Sequence, residues 1–298
     1  MTDLITYIFQ GHDGASLAGY RALPEGEERG VVQIAHGMAE HFARYAHLTD
    51  TLTAAGWAVY GNDHRGHGAS AHVHGLGSFG PGGFQGLVDD MAKLSERARA
   101  EHPGKPLVLL GHSMGSFAAQ LYLLEHSEWL AGLVLSGTAA LDALQATMIA
   151  AAQKAAAAPE GGTLQGFNGR FAAQGSTGFE WLSRDQAQVD LYVADRLCGF
   201  ELEEAAMASM QAFGGKGHRD PALAKVRKDL PIYIISGEHD PVVGEGLAHV
   251  NALIDSYRAV GLSNIDHRVY PDGRHEMFNE VNRDEVEGEL VTWLGRIA

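Results

Sequence analysis

Apolar runs separated by amphipathic stretches recur along the chain, and their periods predict alternating strands and helices. Residues 4–9 and 17–23 alternate apolar and polar positions around a turn at His12, Asp13 and Gly14, the pattern of an antiparallel hairpin at a sheet edge. The pattern then changes to short, nearly continuous apolar runs at 31–35, 57–60, 106–110, 130–135, 230–235 and 265–270. Helical periodicity fills the gaps at about 43–55, 84–101, 116–125 and 246–259, and returns from about 283 to the end. This β-α-β rhythm predicts an α/β fold built on a parallel sheet.

Between about 138 and 221 the rhythm breaks. Residues 139–158 read as an Ala-rich helix stopped by Gly161 and Gly162, and 180–214 suggest further helices carrying Trp181, Tyr192, Phe200 and several methionines. The economical division is a core of 1–137 and 222–298 interrupted by a helical cap, or lid, at 138–221. Ligands in open α/β sheets bind beyond the carboxyl ends of the strands. His36-Gly37, Asp63 and Ser113 all fall at such ends, beneath that cap.

Gly111-His112-Ser113-Met114-Gly115 follows one predicted strand and opens a helix. Gly-x-Ser-x-Gly alone is a weak pattern in a chain with 38 glycines, but a strand–turn–helix setting is the context it needs. A serine there stands clear of the sheet, and glycines on both sides let strand and helix pass closely. Its hydroxyl needs a base to take the proton and a third group to orient that base. Ser113, Asp240 and His275 occur in the chain order used when such a triad is built on an α/β sheet, each soon after a predicted strand. Rival acids are less well placed: Asp266 sits inside a strand and Asp272 is three residues from His275. Rival bases His112 and His239 adjoin their would-be partners and are expected to point away from them. The oxyanion is expected to be held by the backbone N–H of Met114, at a helix N-terminus, and by that of Met38 beside Gly37.

His64, His67, His72 and His74 raise a metal reading, but no acidic or cysteine ligand follows at a familiar zinc spacing. Asp63, Arg65 and His67 are instead expected to tie loops together below the site; no metal and no cofactor is expected. A net charge of −15 argues against nucleic acid and anionic membranes as partners. The single cysteine, Cys198, fits a reducing compartment and a buried cap role. No apolar run approaches a membrane span, and the start of the chain lacks a basic stretch followed by an apolar one, so a cytoplasmic enzyme is expected.

Five ordered blocks carry a resemblance to a known family: residues 36–45 (HGMAEHFARY), 63–70 (DHRGHGAS), 111–115 (GHSMG), 237–240 (GEHD) and 273–280 (GRHEMFNE). Together they resemble the monoacylglycerol lipase and lysophospholipase branch of the serine α/β-hydrolases, from residue 4 to the C-terminal helix but thinly across the cap. The resemblance implies an eight-stranded, mostly parallel sheet, a Ser113–Asp240–His275 triad, oxyanion donors at Met38 and Met114, and a cap over an acyl-binding channel. Ser116 stands where the branch often has another glycine.

The expectation is a cofactor-free hydrolase of monoacylglycerols or similar single-acyl-chain esters, working through an acyl-enzyme on a small-molecule acyl ester substrate. A thioesterase, amidase, peptidase or cofactor-free haloperoxidase could use the same three residues. A non-catalytic binding protein with a capped pocket is the rival from another class, and transient membrane contact through the cap stays open. Oligomeric state is not legible.

Overall fold

The computed structural model describes residues 3–154 and 162–297. Its strands are β1 (Ile5–Gln10), β2 (Ser16–Ala22), β3 (Gly30–Ala35), β4 (Trp57–Asn62), β5 (Leu107–His112), β6 (Gly132–Ser136), β7 (Ile232–Gly237) and β8 (Ile265–Tyr270). They form one eight-stranded sheet in the order β1-β2-β4-β3-β5-β6-β7-β8. The first hairpin and the β2–β4 pair are antiparallel and every other pairing is parallel. Helices α1 (Ala46–Ala54), α2 (Gly83–Glu101) and α3 (Met114–His126) connect the first strands, and α8 (Ala248–Ala259) and α9 (Arg283–Leu294) follow β7 and β8.

The continuous apolar runs have a direct cause. Leu107, Leu109, Leu133, Leu135, Ile232 and Ile234 pack with α2, α3 and α8 on one face. Val108, Leu110, Val134, Tyr233 and Ile235 pack with Leu48, Leu52, Val286 and Leu290 of α1 and α9 on the other. Central parallel strands covered on both faces have no solvent side to mark with polar residues.

Among the described residues no strand lies between β6 and β7; that interval holds α4 (Leu141–Lys154), α5 (Gln186–Ala194), α6 (Glu204–Gln211) and the single turn α7 (Lys216–Arg219). The helix expected over 139–158 is observed as α4, and 155–158 lie outside the described residues. The stretch 163–179, to which the pattern assigns no element, contains a 3-10 segment at Gln165–Gln174 and turns, and within 180–214 the first helix begins only at Gln186.

Helix α3 crosses β5 and β3 closely at the elbow. A Cβ at Gly111 would sit 2.5 Å from the Gly115 carbonyl oxygen, and one at Gly115 would sit 2.2 Å from the Ala35 carbonyl oxygen. Both obstacles are backbone, which cannot rotate away. Gly115→Ala is therefore expected to lower the unfolding free energy by about 1–3 kcal/mol through forced backbone displacement; urea denaturation of the two proteins measures this, and an unchanged midpoint would contradict it.

Candidate active site

Ser113 sits between β5 and α3 with φ 50° and ψ −120°, a left-handed conformation rarely adopted by a residue with a side chain. Its N–H donates to the Ser136 carbonyl on β6, and its own carbonyl accepts from the Ser116 and Phe117 N–H groups in the first turn of α3. Ser116, the departure from the usual glycine, also uses its hydroxyl, donating to the Ser113 carbonyl (2.6 Å) and accepting from the Thr138 hydroxyl (2.9 Å). The elbow is thus held from both sides. Met114 is the first helical residue, and its N–H belongs to the set with no acceptor inside the helix.

The loops after β7 and β8 supply Asp240 and His275, both almost fully buried. His275 Nδ1 lies 2.9 Å from Asp240 Oδ2, while Asp240 Oδ1 accepts from the Val242 N–H. Nδ1 therefore carries the proton, leaving Nε2 with its lone pair. The competing acids are engaged elsewhere: Asp266 accepts from the Trp293 indole and Arg296, and Asp272 faces His239 on the rim. Ser113 and His275 line one small cavity together with Gly37, Met38, Glu40, Tyr192 and Glu276. His112 also lines it, and its ring centroid is 4.7 Å from that of His275. The strand end that lifts Ser113 also brings this neighbour against the base.

Three side chains in the recognised blocks, given no role from sequence, prove central to the geometry. Glu40 is buried, accepting from the Gly37 N–H (2.5 Å) and the Tyr45 hydroxyl (2.7 Å). Burial opposes its ionisation, but Arg44, His112, His36 and the Tyr45 hydroxyl bring its pKa down to about 2. Arg44 reaches Glu40 on one side (3.2 Å) and grips both oxygens of Glu276 on the other. The loop after β3 and the loop holding His275 are thereby joined by a shared guanidinium beside the cavity. The i,i+4 spacing of Glu40 and Arg44 was the available sequence signal. Ala39, at φ 53°, completes the turn that presents Met38.

The 163–199 region closes over these loops. Trp181 lies with its ring centroid 4.7 Å from His275. Its carbonyl accepts from the His275 N–H, and the Leu182 carbonyl accepts from the Glu276 N–H. Arg274 donates to the carbonyls of Glu180 and Ser183, and Arg184 pairs with Glu280 (2.9 Å). Below the site, Asp63 accepts from the N–H groups of Phe42 and Ala69 and from the Tyr20 hydroxyl, Arg65 pairs with Asp90, and His67 bonds the Arg65 carbonyl, as expected of loop ties. His64 and His67 lie with His36 in a buried ring cluster, while His72 caps the Ala69 carbonyl.

A second, larger cavity begins at Ser113 and runs between the sheet edge and the helices beyond β6. Met38, Phe117, Leu144, Phe167, Met207 and Val242 line it, so its walls are almost entirely apolar.

A strained serine elbow on a mostly parallel eight-stranded sheet, with a buried His–Asp pair at neighbouring strand ends, defines an α/β-hydrolase enzyme. Residues 26–282 match the family described as serine aminopeptidase, S33, and the chain belongs to that family. It is 31% identical over 297 residues to a monoacylglycerol lipase of Mycolicibacterium smegmatis, covering 95% of this chain and 96% of the relative. It is 27% identical to the monoglyceride lipase of Mus musculus, over 87% of this chain and 83% of that one. The crystal structure of a thermostable carboxyl esterase from Bacillus coagulans superposes with a TM-score of 0.82 at 27% identity, covering 100% of this chain and 99% of the other. The protein is accordingly a serine hydrolase of the monoacylglycerol lipase-like type.

Burial works against protonation of His275, but the charge and hydrogen bond of Asp240, reinforced by Glu276 and Glu40, raise its pKa above the ordinary 6.5. A rate that requires neutral His275 is expected to fall on the acid side with an apparent pKa above 6.5. A raised folded-state pKa stabilises the fold fully below the unfolded value and loses that contribution as pH rises through the folded one, so this group does not unfold the protein as the rate falls. A pH–rate profile with parallel thermal melts tests both statements; an acid limb centred below 6.5 would contradict the first.

Proposed function

We propose that the protein is a cofactor-free carboxylic ester hydrolase acting on monoacylglycerols or similar single-acyl-chain esters, with residues 138–221 as the cap over its acyl channel. The observation that carries this reading is the meeting of two unlike cavities at Ser113. An acyl chain suits the larger, apolar one, where each buried methylene contributes about 0.8 kcal/mol. A polar alcohol suits the small one, beside Glu40, Tyr192 and Glu276. The reacting carbonyl then lies at their junction.

His275 Nε2 takes the proton of Ser113 Oγ as that oxygen attacks the ester carbonyl. Asp240 holds the imidazole in the reactive tautomer and offsets its positive charge. The negative oxygen of the tetrahedral intermediate is received by the backbone N–H groups of Met38 and Met114, the latter at the positive end of α3. Collapse breaks the ester C–O bond, and the proton on His275 passes to the departing alkoxide. Water, deprotonated by the same nitrogen, attacks the acyl-enzyme carbonyl; the carboxylic acid leaves and Ser113 regains its proton.

The same three residues would cleave thioesters or amides, and the family description names a peptidase. The lining of the larger cavity favours an acyl chain over a peptide: among its residues Gln145, Thr163, Gln211 and Ser113 are the polar ones, and none is charged. The one cysteine, buried and free, agrees with work in a reducing compartment such as the cytoplasm.

Hydrolysis of a series of monoacyl esters tests the reading. The expected kcat/KM rises about fourfold per methylene until the channel is filled and then levels, and esters exceed aminoacyl amides of matched size. Ser113→Ala is expected to reduce kcat by about 10⁶-fold. A flat chain-length profile, preference for aminoacyl substrates, or retained hydrolysis in Ser113→Ala would each count against it.

A further inference from the structure

Outside the candidate active site, three clusters bring histidine and carboxylate or thiol atoms within 4.8 Å of one another among the described residues. His12, Asp13 and Asp90 already hold the Arg65 guanidinium, which supplies their positive charge. Glu238, His239 and Asp272 lie on an open rim where water competes for every ligand. The third, His41, Asp195 and Cys198, differs in both respects, and it joins the oxyanion loop to the segment after α5.

Asp195 and Cys198 are three residues apart in a turn closed by the Cys198 N–H to the Asp195 carbonyl (3.0 Å). Asp195 Oδ1 accepts from the Leu197 N–H (2.8 Å), which fixes the carboxylate and leaves Oδ2 facing His41 Nε2 at 2.8 Å. The neighbouring Gly199 N–H donates to the Ala39 carbonyl, so the turn is seated on the same loop that carries His41. Cys198 is buried, and burial pushes its thiol well above the ordinary value, so it is no nucleophile at neutral pH. Nearby, Glu40 and Glu276 bring two buried carboxylates to the one Arg44 guanidinium, while Asp195 pairs with His41. Arg44 is thus overmatched, and the surroundings favour an added positive charge. Asp195, about one-third exposed, gives a path from solvent.

We propose that His41 Nε2, Asp195 Oδ2 and Cys198 Sγ form a binding site for one zinc-class divalent cation, fastening the segment after α5 to the oxyanion loop. Nitrogen, carboxylate oxygen and sulfur are the three donor types of zinc, and three protein ligands leave its fourth position to water. Metal–ligand bonds of about 2.0–2.3 Å set the donors about 3.5 Å apart. Side-chain rotations reach this by opening the His41–Asp195 contact and drawing in Cys198. On binding, the S–H bond is replaced by a sulfur–metal bond and that proton goes to solvent, while the imidazole proton moves from Nε2 to Nδ1. The Glu40 hydrogen bond to Gly37 lies on the same loop, so the cation would brace the turn that presents Met38.

Titrating the intact protein with Co²⁺, and then displacing it with Zn²⁺, tests the site without reference to hydrolysis. The expected result is one equivalent of Co²⁺ giving a tetrahedral visible spectrum and a near-ultraviolet thiolate-to-cobalt band. Cys198→Ala loses that band, and His41→Gln and Asp195→Asn each weaken Zn²⁺ binding by about tenfold or more. Circular dichroism identifies which variants are folded, and any one folded variant decides the matter. Absence of the thiolate band in the wild type, or equal Zn²⁺ affinity in a folded variant, would overturn the proposal.

Discussion

Everything in the site hangs on the close passage of α3 over the ends of β5 and β3. Ser113 holds φ 50° and ψ −120°, a backbone state that costs about 1–3 kcal/mol, and neither Gly111 nor Gly115 has room for a Cβ. The return is positional. The hydroxyl is raised at the mouth of two cavities, and the N-terminus of α3 comes with it. Hydrogen bonds to the Ser136 carbonyl and from Ser116 surround the turn, so the strain is stored in a rigid sheet rather than in a loop that could relax.

Around that fixed point the other strand ends are held together by buried charge. Glu40, Arg44 and Glu276 connect the loop after β3 to the loop after β8, so the groups beside Gly37 and His275 cannot drift independently. Such a network is costly to desolvate and is sustained only when each member is partnered. The tyrosines on its border serve that end: Tyr45 donates to Glu40, and the Tyr192 ring lies under the Arg44 guanidinium, 4.7 Å from its centroid. The segment 180–184 is bonded to the loop of residues 274–280 by backbone and side-chain contacts, and Trp181 covers His275 from above.

The parallel sheet was legible because its central strands are buried on both faces and carry unbroken apolar runs, and the edge hairpin because it alternates. The candidate residues were legible because chemistry gathers at strand ends, and the structure does bring Asp240 and His275 into contact there. Contacts between distant stretches were not legible. Nothing in a single sequence says that Trp181 meets His275, that the His112 ring turns toward the base, or that Arg44 reaches Glu276. Glu40 and Arg44 left a trace in their i,i+4 spacing, a spacing that usually marks an exposed helix pair. The stretch 163–185 resisted reading for a different reason: it is held by side-chain bonds such as Asn168 to Glu180, which impose no period on the sequence.

The central claim is that the strained serine is activated by the buried His–Asp pair. Treating the protein with a fluorophosphonate and mapping the modified peptide addresses it directly. The account predicts one adduct per chain, on Ser113, forming at least about a thousandfold more slowly in His275→Gln. An adduct on any other residue, or labelling at an unchanged rate in that variant, would contradict it.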